Sequence, residues 1–177
     1  MAHSIELLFD DHSDAAIRAM WQVLADAGLP SQLRVKSPTN RPHVTLLAAR
    51  RISPEVDASL GSLGDRLPVA SVVGAPLVFG GPRLTLARLM VPSAELLALH
   101  EAIYRLSLPH VIGDPSAHSQ PGHWTPHVTL GRRFSAAEIG AALAAVNTLQ
   151  SLAADLPARF VGLRRWDGDE RIDRVLV

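Results

Sequence analysis

The 177-residue chain has 17 basic and 17 acidic side chains, so with its eight histidines neutral it carries no net charge. It therefore lacks the broad basic footprint that long duplex nucleic acid demands. Apolar residues make up 47%, enough for a sizeable core and too many for a disordered chain. Cysteine is absent, which excludes disulfides, thiolate-ligated zinc, iron–sulfur clusters and a thiol nucleophile.

In chain order, SIELLFD (Ser4–Asp10) is apolar, bounded by polar residues, and predicts a strand. SDAAIRAMWQVLADAGL predicts a helix, with Ser13 as its N-cap, Ile17, Met20, Trp21 and Leu24 at helical spacing, and Gly28 as its stop. HVTLLAA (His43–Ala49) is built of strand formers, and SPEVDASLGSLGDRL predicts a helix weakened by Gly61 and Gly64. PVASVVGAPLVFGG and RLTLARLMVP predict a hairpin joined through Gly80 and Gly81. SAELLALHEAIYRLS (Ser93–Ser107) is a capped helix with Leu96, Leu99, Ile103 and Leu106 on one face. VIGDPSAHSQPGHW predicts a polar loop leading into a strand that runs to about Phe134. SAAEIGAALAAVNTLQSL follows as a helix whose Ser135 and Glu138 match a capping box. ARFVGLRRWD and ERIDRVLV close the chain as two strands around a turn at Asp167–Asp169. Apolar runs fall short of the ~20 residues a membrane helix needs. The start, MAHSIELLFDDHSD, lacks a basic stretch followed by an apolar run. A cytoplasmic protein making no membrane contact is expected.

The pentapeptide PHVTL occurs twice, at Pro42–Leu46 and at Pro126–Leu130. Aligned on it, each half of the chain reads strand, helix, loop, PHVTL strand, helix, further strand, although little identity extends beyond the motif. The expected fold is α+β: one domain over 1–177, made of two similar lobes at roughly 1–80 and 81–177, with strand exchange allowed between them. Two antiparallel-rich sheets backed by helices would be related by a pseudo-two-fold, with the PHVTL strands facing each other across a central cleft. A monomer is expected.

Residues i and i+2 of a strand share a face. His43 therefore points with Thr45, and His127 with Thr129, while Val44, Leu46, Val128 and Leu130 point to the core. Two imidazoles and two hydroxyls facing one another suit a phosphodiester, because displacement at phosphorus is in-line. One neutral histidine can take the proton of an attacking water while a protonated one gives a proton to the departing alkoxide. The threonine hydroxyls can donate to the non-bridging phosphate oxygens. This chemistry needs no metal and no cofactor, and symmetry leaves open which histidine is acid and which is base.

These paired motifs resemble the His-x-Thr/Ser-x signatures of the 2H phosphoesterase superfamily. Within it they are most similar to the bacterial and archaeal 2′-5′ RNA ligase-like, or RNA 2′,3′-cyclic phosphodiesterase, proteins. The resemblance covers nearly the whole chain in length, element order and motif spacing. It implies a bilobal fold with a central cleft and metal-independent hydrolysis of 2′,3′-cyclic phosphates, on nucleotides or RNA ends, to 2′-phosphates. It further implies His43 as the acid on the leaving 3′ oxygen, His127 as the base on water, and action on, or reversible formation of, 2′-5′ linkages. Family members often carry an arginine after the second motif, which favours Arg132. Strict alternation would present Arg133 instead, and a bulge at Gly131 would reverse that.

Other residues leave alternatives open. Trp124, directly before the second motif, is placed either to stack on a nucleobase or to lid the core. Phe9 either lines the groove or packs in the core. His118 and His123 together with His127 raise zinc, but Pro126 denies them a regular helix, and His123 has no counterpart near His43. The rival functions are a related phosphodiesterase for a 2′-5′ oligonucleotide, a cyclic oligonucleotide signal or an ADP-ribose cyclic phosphate, and a non-catalytic RNA- or nucleotide-binding module.

Overall fold

The computed structural model describes residues 2–149 and 155–177. Twelve elements frame the site: β1 (His3–Phe9), α1 (Asp11–Asp26), β2 (His43–Ile52), α2 (Val56–Gly61), β3 (Val69–Gly80), β4 (Leu84–Met90), α3 (Ala94–Ser107), β5 (Val111–Pro115), β6 (His127–Phe134), α4 (Ala136–Asn147), β7 (Leu156–Asp167) and β8 (Ile172–Val175). Among the described residues no helix is long and apolar enough to cross a membrane.

The fold is α+β, and every strand pairing is antiparallel. The strands form one continuous eight-stranded sheet whose two halves, the first and second sheets, run β5-β2-β1-β7-β8 and β6-β4-β3-β7. Strand β7 belongs to both, since its early residues pair with β3 and its later ones with β1. Where the sheets meet on the opposite side, β2 and β6 share a single pair, Val44 with Val128. Both sheets draw strands from each side of Gly80–Gly81, which form the turn of the β3–β4 hairpin. Helices α2 and α3 pack together behind the first sheet, and α1 and α4 behind the second. Val44, Leu46, Val128 and Leu130 are all buried in one continuous core. Each such residue contributes about 1.5–3 kcal/mol relative to leaving it exposed.

Several expectations are corrected. Helix α1 begins at Asp11, not after Ser13, because Asp10 is the N-cap and accepts from the Ser13 N–H at 2.9 Å. Asp11 and Asp14 then place negative charge in the first turn, against the positive helix end. Ser13 is buried in that turn, where its hydroxyl accepts from the Arg159 N–H. The segment read as a polar loop contains β5, which pairs with β2. Phe9 is 1% exposed and packs its ring 4.8 Å from that of Phe160, so it belongs to the core and not to the groove. The α3 cap at Ser93 and the capping box of Ser135 and Glu138 are present as predicted. The predicted extension of α4 to Leu152 runs into positions outside the described residues.

Gly131 is a glycine because of what approaches it. A Cβ there would run into the carbonyl oxygen of Pro30 and lie 2.9 Å from two ring atoms of Phe134. Backbone on one side and a buried ring on the other cannot both yield. Gly131→Ala is expected to cost roughly 1–3 kcal/mol, the usual range for overpacking, read as a lower melting temperature by circular dichroism.

Candidate active site

The first letter of PHVTL has a structural purpose that strand parity does not reveal. A proline holds the residue before it extended and offers no N–H of its own. The carbonyl of Arg41 thus accepts from His43 Nδ1 at 2.7 Å, and the carbonyl of Thr125 accepts from His127 Nδ1, also at 2.7 Å. A carbonyl can only accept, so Nδ1 carries the proton in both rings. Nε2 is left as the working nitrogen in each case. Both imidazoles are partly exposed, Thr45 is half-buried and Thr129 is buried.

Beyond the Val44–Val128 pair the two motif strands part, which leaves backbone carbonyls needing donors. Two indoles supply them. Trp124 Nε1 donates to the Thr45 carbonyl at 2.9 Å, and Trp21 Nε1, from α1, donates to the Thr129 carbonyl at 3.0 Å. Trp124 also stacks on His100, with ring centroids 3.9 Å apart and planes 7° from parallel. His100 is buried, and its Nε2 lies 3.1 Å from the Leu46 carbonyl and 3.0 Å from the Ser119 carbonyl. Burial lowers the His100 pKa despite these two carbonyls. Trp124 is accordingly held behind the first motif by its Nε1 and by one face of its ring, and it remains partly exposed.

Register also resolves which arginine joins the cleft face. Ala87 pairs with Thr129 and Leu86 with Gly131, so Leu130 is an extra residue that reverses parity. Thr85 then pairs with Arg132, which shares the face of His127 and Thr129, and Arg133 is a second bulged residue with a φ of +72°. The bulge lies one residue before the expected Gly131. The first motif carries its counterpart, since Glu6 pairs with Thr45 and Ile5 with Leu47, leaving Leu46 extra.

His43, Thr45 and Arg132 line a cleft of about 460 Å³ together with Glu6, Arg164 and Trp166, whereas His127 and Thr129 are not part of its lining. Its far lip is polar, with Gln32, Ser37, Thr39 and Asn40. Glu6 was not singled out by sequence reasoning, and Arg164 stood out there only as one of a local group of arginines (Arg132, Arg133, Arg159, Arg164 and Arg165) able to meet a small anion. Arg164 Nε donates to Glu6 Oε2 at 2.7 Å, the Ser4 hydroxyl donates to Glu6 Oε1 at 2.6 Å, and Glu6 Oε1 lies 3.6 Å from His43 Nε2. Burial works against ionisation of Glu6, but the charges of His43 and Arg164 and the hydrogen bonds from Ser4 and Arg164 overcome it and lower its pKa.

The second histidine has different surroundings. The Phe79 ring meets His127 edge-on at 4.8 Å and is itself 42% exposed. The pKa of His127 is lowered, chiefly by desolvation, with the positive charges of Arg132 and His43 adding to it and the Thr125 carbonyl opposing. Among the described residues His118, His123 and His127 do not converge; the group with ligand atoms close together is His3, Asp167 and Asp169. There His3 Nε2 sits 3.2 Å from each carboxylate and ties the β7–β8 turn to β1.

The architecture has relatives among solved structures. Usb1 from Kluyveromyces marxianus superimposes with a TM-score of 0.54 at 16% identity, covering 99% of this chain and 97% of that one. The same protein with uridine monophosphate gives 0.53 at 15%, with the same coverage. Escherichia coli LigT complexed with 3′-AMP gives 0.51 at 12% identity, covering 98% and 91%. No curated protein matches the sequence. The sequence model of the 2′-5′ RNA ligase superfamily matches residues 9–170. With its fold shared with Usb1 and LigT and its sequence matched over most of its length, the chain belongs to the 2′-5′ RNA ligase superfamily of 2H phosphoesterases, enzymes that act on phosphodiesters.

Proposed function

We propose that the cleft hydrolyses the 2′,3′-cyclic phosphate of a nucleotide or RNA end to a 2′-phosphate, with His127 as base and His43 as acid. The observation that carries this reading is the unequal setting of two histidines held in the same tautomer. His127 is desolvated and faces the charges of Arg132 and His43, which favours the neutral ring a base requires. His43 instead has the buried carboxylate of Glu6 3.6 Å from Nε2, on the nitrogen from which an acid gives up its proton.

Water enters on the His127 side and gives its proton to Nε2 as its oxygen bonds to phosphorus. The bond from phosphorus to the 3′ oxygen breaks opposite, and His43 Nε2 supplies the proton that makes the 3′ hydroxyl. Thr45 and Thr129 donate to the non-bridging oxygens, and Arg132 offsets the charge that builds on them. The polar, partly enclosed part of the cleft extends from His43, toward Gln32, Asn40 and Trp166. A nucleoside lodged there puts its own 3′ oxygen at the acid. Relatives of the fold bind uridine monophosphate and 3′-AMP, which agrees with a single nucleotide in this space.

The test is a product-resolved screen of 2′,3′-cyclic nucleotides, a 2′-5′-linked dinucleotide and a cyclic dinucleotide, each with EDTA present. The expected result is turnover of the cyclic phosphate to the 2′-phosphate, undiminished by chelator. The rate should follow a bell-shaped pH profile whose acid limb lies below the ordinary imidazole value of about 6.5, because the lowered pKa of His127 keeps the base neutral further into acid. Formation of the 3′-phosphate would reverse the assigned geometry. Binding without turnover of any substrate would make the cleft a recognition site only.

A further inference from the structure

We infer that Glu6, braced by Arg164 and Ser4, is the positioning residue that holds a negative charge beside Nε2 of His43 and so sets the direction of proton flow in the site. The inference rests on the proposed reading of His43 as the acid.

The comparison of the two sheets makes the case. In the first, His43 pairs with Leu8, Thr45 with Glu6, and Glu6 with Arg164. In the second, His127 pairs with Leu89, Thr129 with Ala87, and Ala87 with Leu77. The registers match position for position, with a bulge after the threonine in each. The chemistry does not match, since a buried carboxylate and guanidinium in one sheet stand where alanine and leucine stand in the other. A duplicated strand pair can be packed with apolar residues at these positions, as the second sheet shows. A buried ion pair adds little stability over such packing and is costly if incomplete. Its presence on one side only is therefore a difference in function between the halves.

The geometry says what that function is. Glu6 is 4% and Arg164 3% exposed, so neither is screened by solvent. Arg164 is held on two of its three nitrogens: Nε donates to Glu6, and Nη1 donates to the Thr39 carbonyl and to Asp173 Oδ2, each at 2.9 Å. Its Nη2 lies 3.5 Å from His43 Nδ1, which already donates to Arg41, so the guanidinium only repels a charged ring. Glu6 Oε2 answers Arg164, and Oε1 is turned to His43. The charged groups around His43 are thus Glu6 from β1, Arg164 from β7 with Asp173 of β8 behind it, and from β6 Arg132, which lines the same cleft, and His127, which interacts with His43 electrostatically. The Arg41 guanidinium pairs with Asp14 instead. Of these, Glu6 is the negative charge in direct reach of Nε2.

Glu6→Gln keeps shape and removes that charge. The alkaline limb of the pH profile, where the acid loses its proton, is expected to move down by roughly one unit, the low end of the effect of a neighbouring opposite charge. kcat/KM at pH 8 then falls about tenfold, against a change within about twofold at pH 6. Glu6→Asp, which withdraws the carboxylate but keeps it, should move the limb the same way by less. The histidine ring protons of the ligand-free protein, followed by NMR, give a readout that needs no substrate: the His43 signal should titrate at lower pH in Glu6→Gln than in the parent. Equal rate loss at every pH, with an unmoved limb and an unmoved His43 titration, would make Glu6 a purely structural residue and overturn the inference. If instead no substrate is turned over but the His43 titration moves, the charge relation stands and the proposed reaction is what fails.

Discussion

Replacing either histidine with alanine is expected to slow turnover of a 2′,3′-cyclic nucleotide by roughly 10²–10⁴-fold, the usual contribution of a positioned acid or base. The double replacement should lose little beyond the worse single one, because the two groups act on one event. Magnitude alone does not separate the roles, and the leaving group does. In a cyclic nucleotide with sulfur as the bridging 3′ atom, the thiolate departs without needing a proton. His43→Ala should recover most of its lost rate on that substrate, while His127→Ala should recover none. The opposite pattern would exchange the two assignments and remove the electrostatic argument built on Glu6 and Arg132. Both variants should retain the parental melting temperature to within a few degrees, since both rings are partly exposed and leave only one carbonyl unpaired.

The largest effect on stability is expected at Arg164. Arg164→Met leaves the Glu6 carboxylate buried without its cation, and breaking a buried pair from one side costs about 3–5 kcal/mol. Chemical denaturation at neutral pH should show the full loss. The loss should shrink in acid, and its sign follows from the direction of the Glu6 shift. In the parent the pKa of Glu6 is lowered, so its ionised form contributes stability that is fully present above the ordinary carboxylate range and is lost as pH falls through the lowered value. In Arg164→Met that contribution is gone at the outset, and protonation relieves the stranded charge. A gap between the two proteins that stayed constant from pH 7 to pH 3 would place the effect in packing of the guanidinium stem and not in its charge.

Much of the site could be read from the chain because PHVTL is short, regular and written twice. Strand parity assigns His and Thr to one face and Val and Leu to the other without reference to any partner, and the caps at Ser93 and Ser135 are equally local. What escaped was whatever depends on a partner far away. Glu6 looks like one polar residue in an apolar strand, and its partner Arg164 lies 158 positions on. No periodicity joins them, although an acid in the middle of a strand buried on both faces is itself a signal that a cation must arrive from elsewhere. Arg132 and Arg133 could not be separated by counting, since the bulge at Leu130 is visible only against β4. Phe9 was open to two readings because it ends its strand, and only the arrival of Phe160 closes the core over it. Strand β5 hid in a stretch rich in glycine and proline, where its pairing with β2 outweighs poor intrinsic preference.

The two indole clasps bear on how the protein comes into being. Trp21 belongs to the first half of the chain yet holds the second motif, 108 positions away, and Trp124 in the second half holds the first, 79 positions back. A growing polypeptide that has emerged only as far as His43 and Thr45 has the reactive side chains but not the donor that completes their strand. That donor arrives only with Trp124, 79 positions on. Contacts of such long range form slowly, because closing large loops costs entropy before any contact rewards it. The cleft is therefore expected to be completed late in folding, and a chain cut before Trp124 would carry the first motif without the donor that completes its strand.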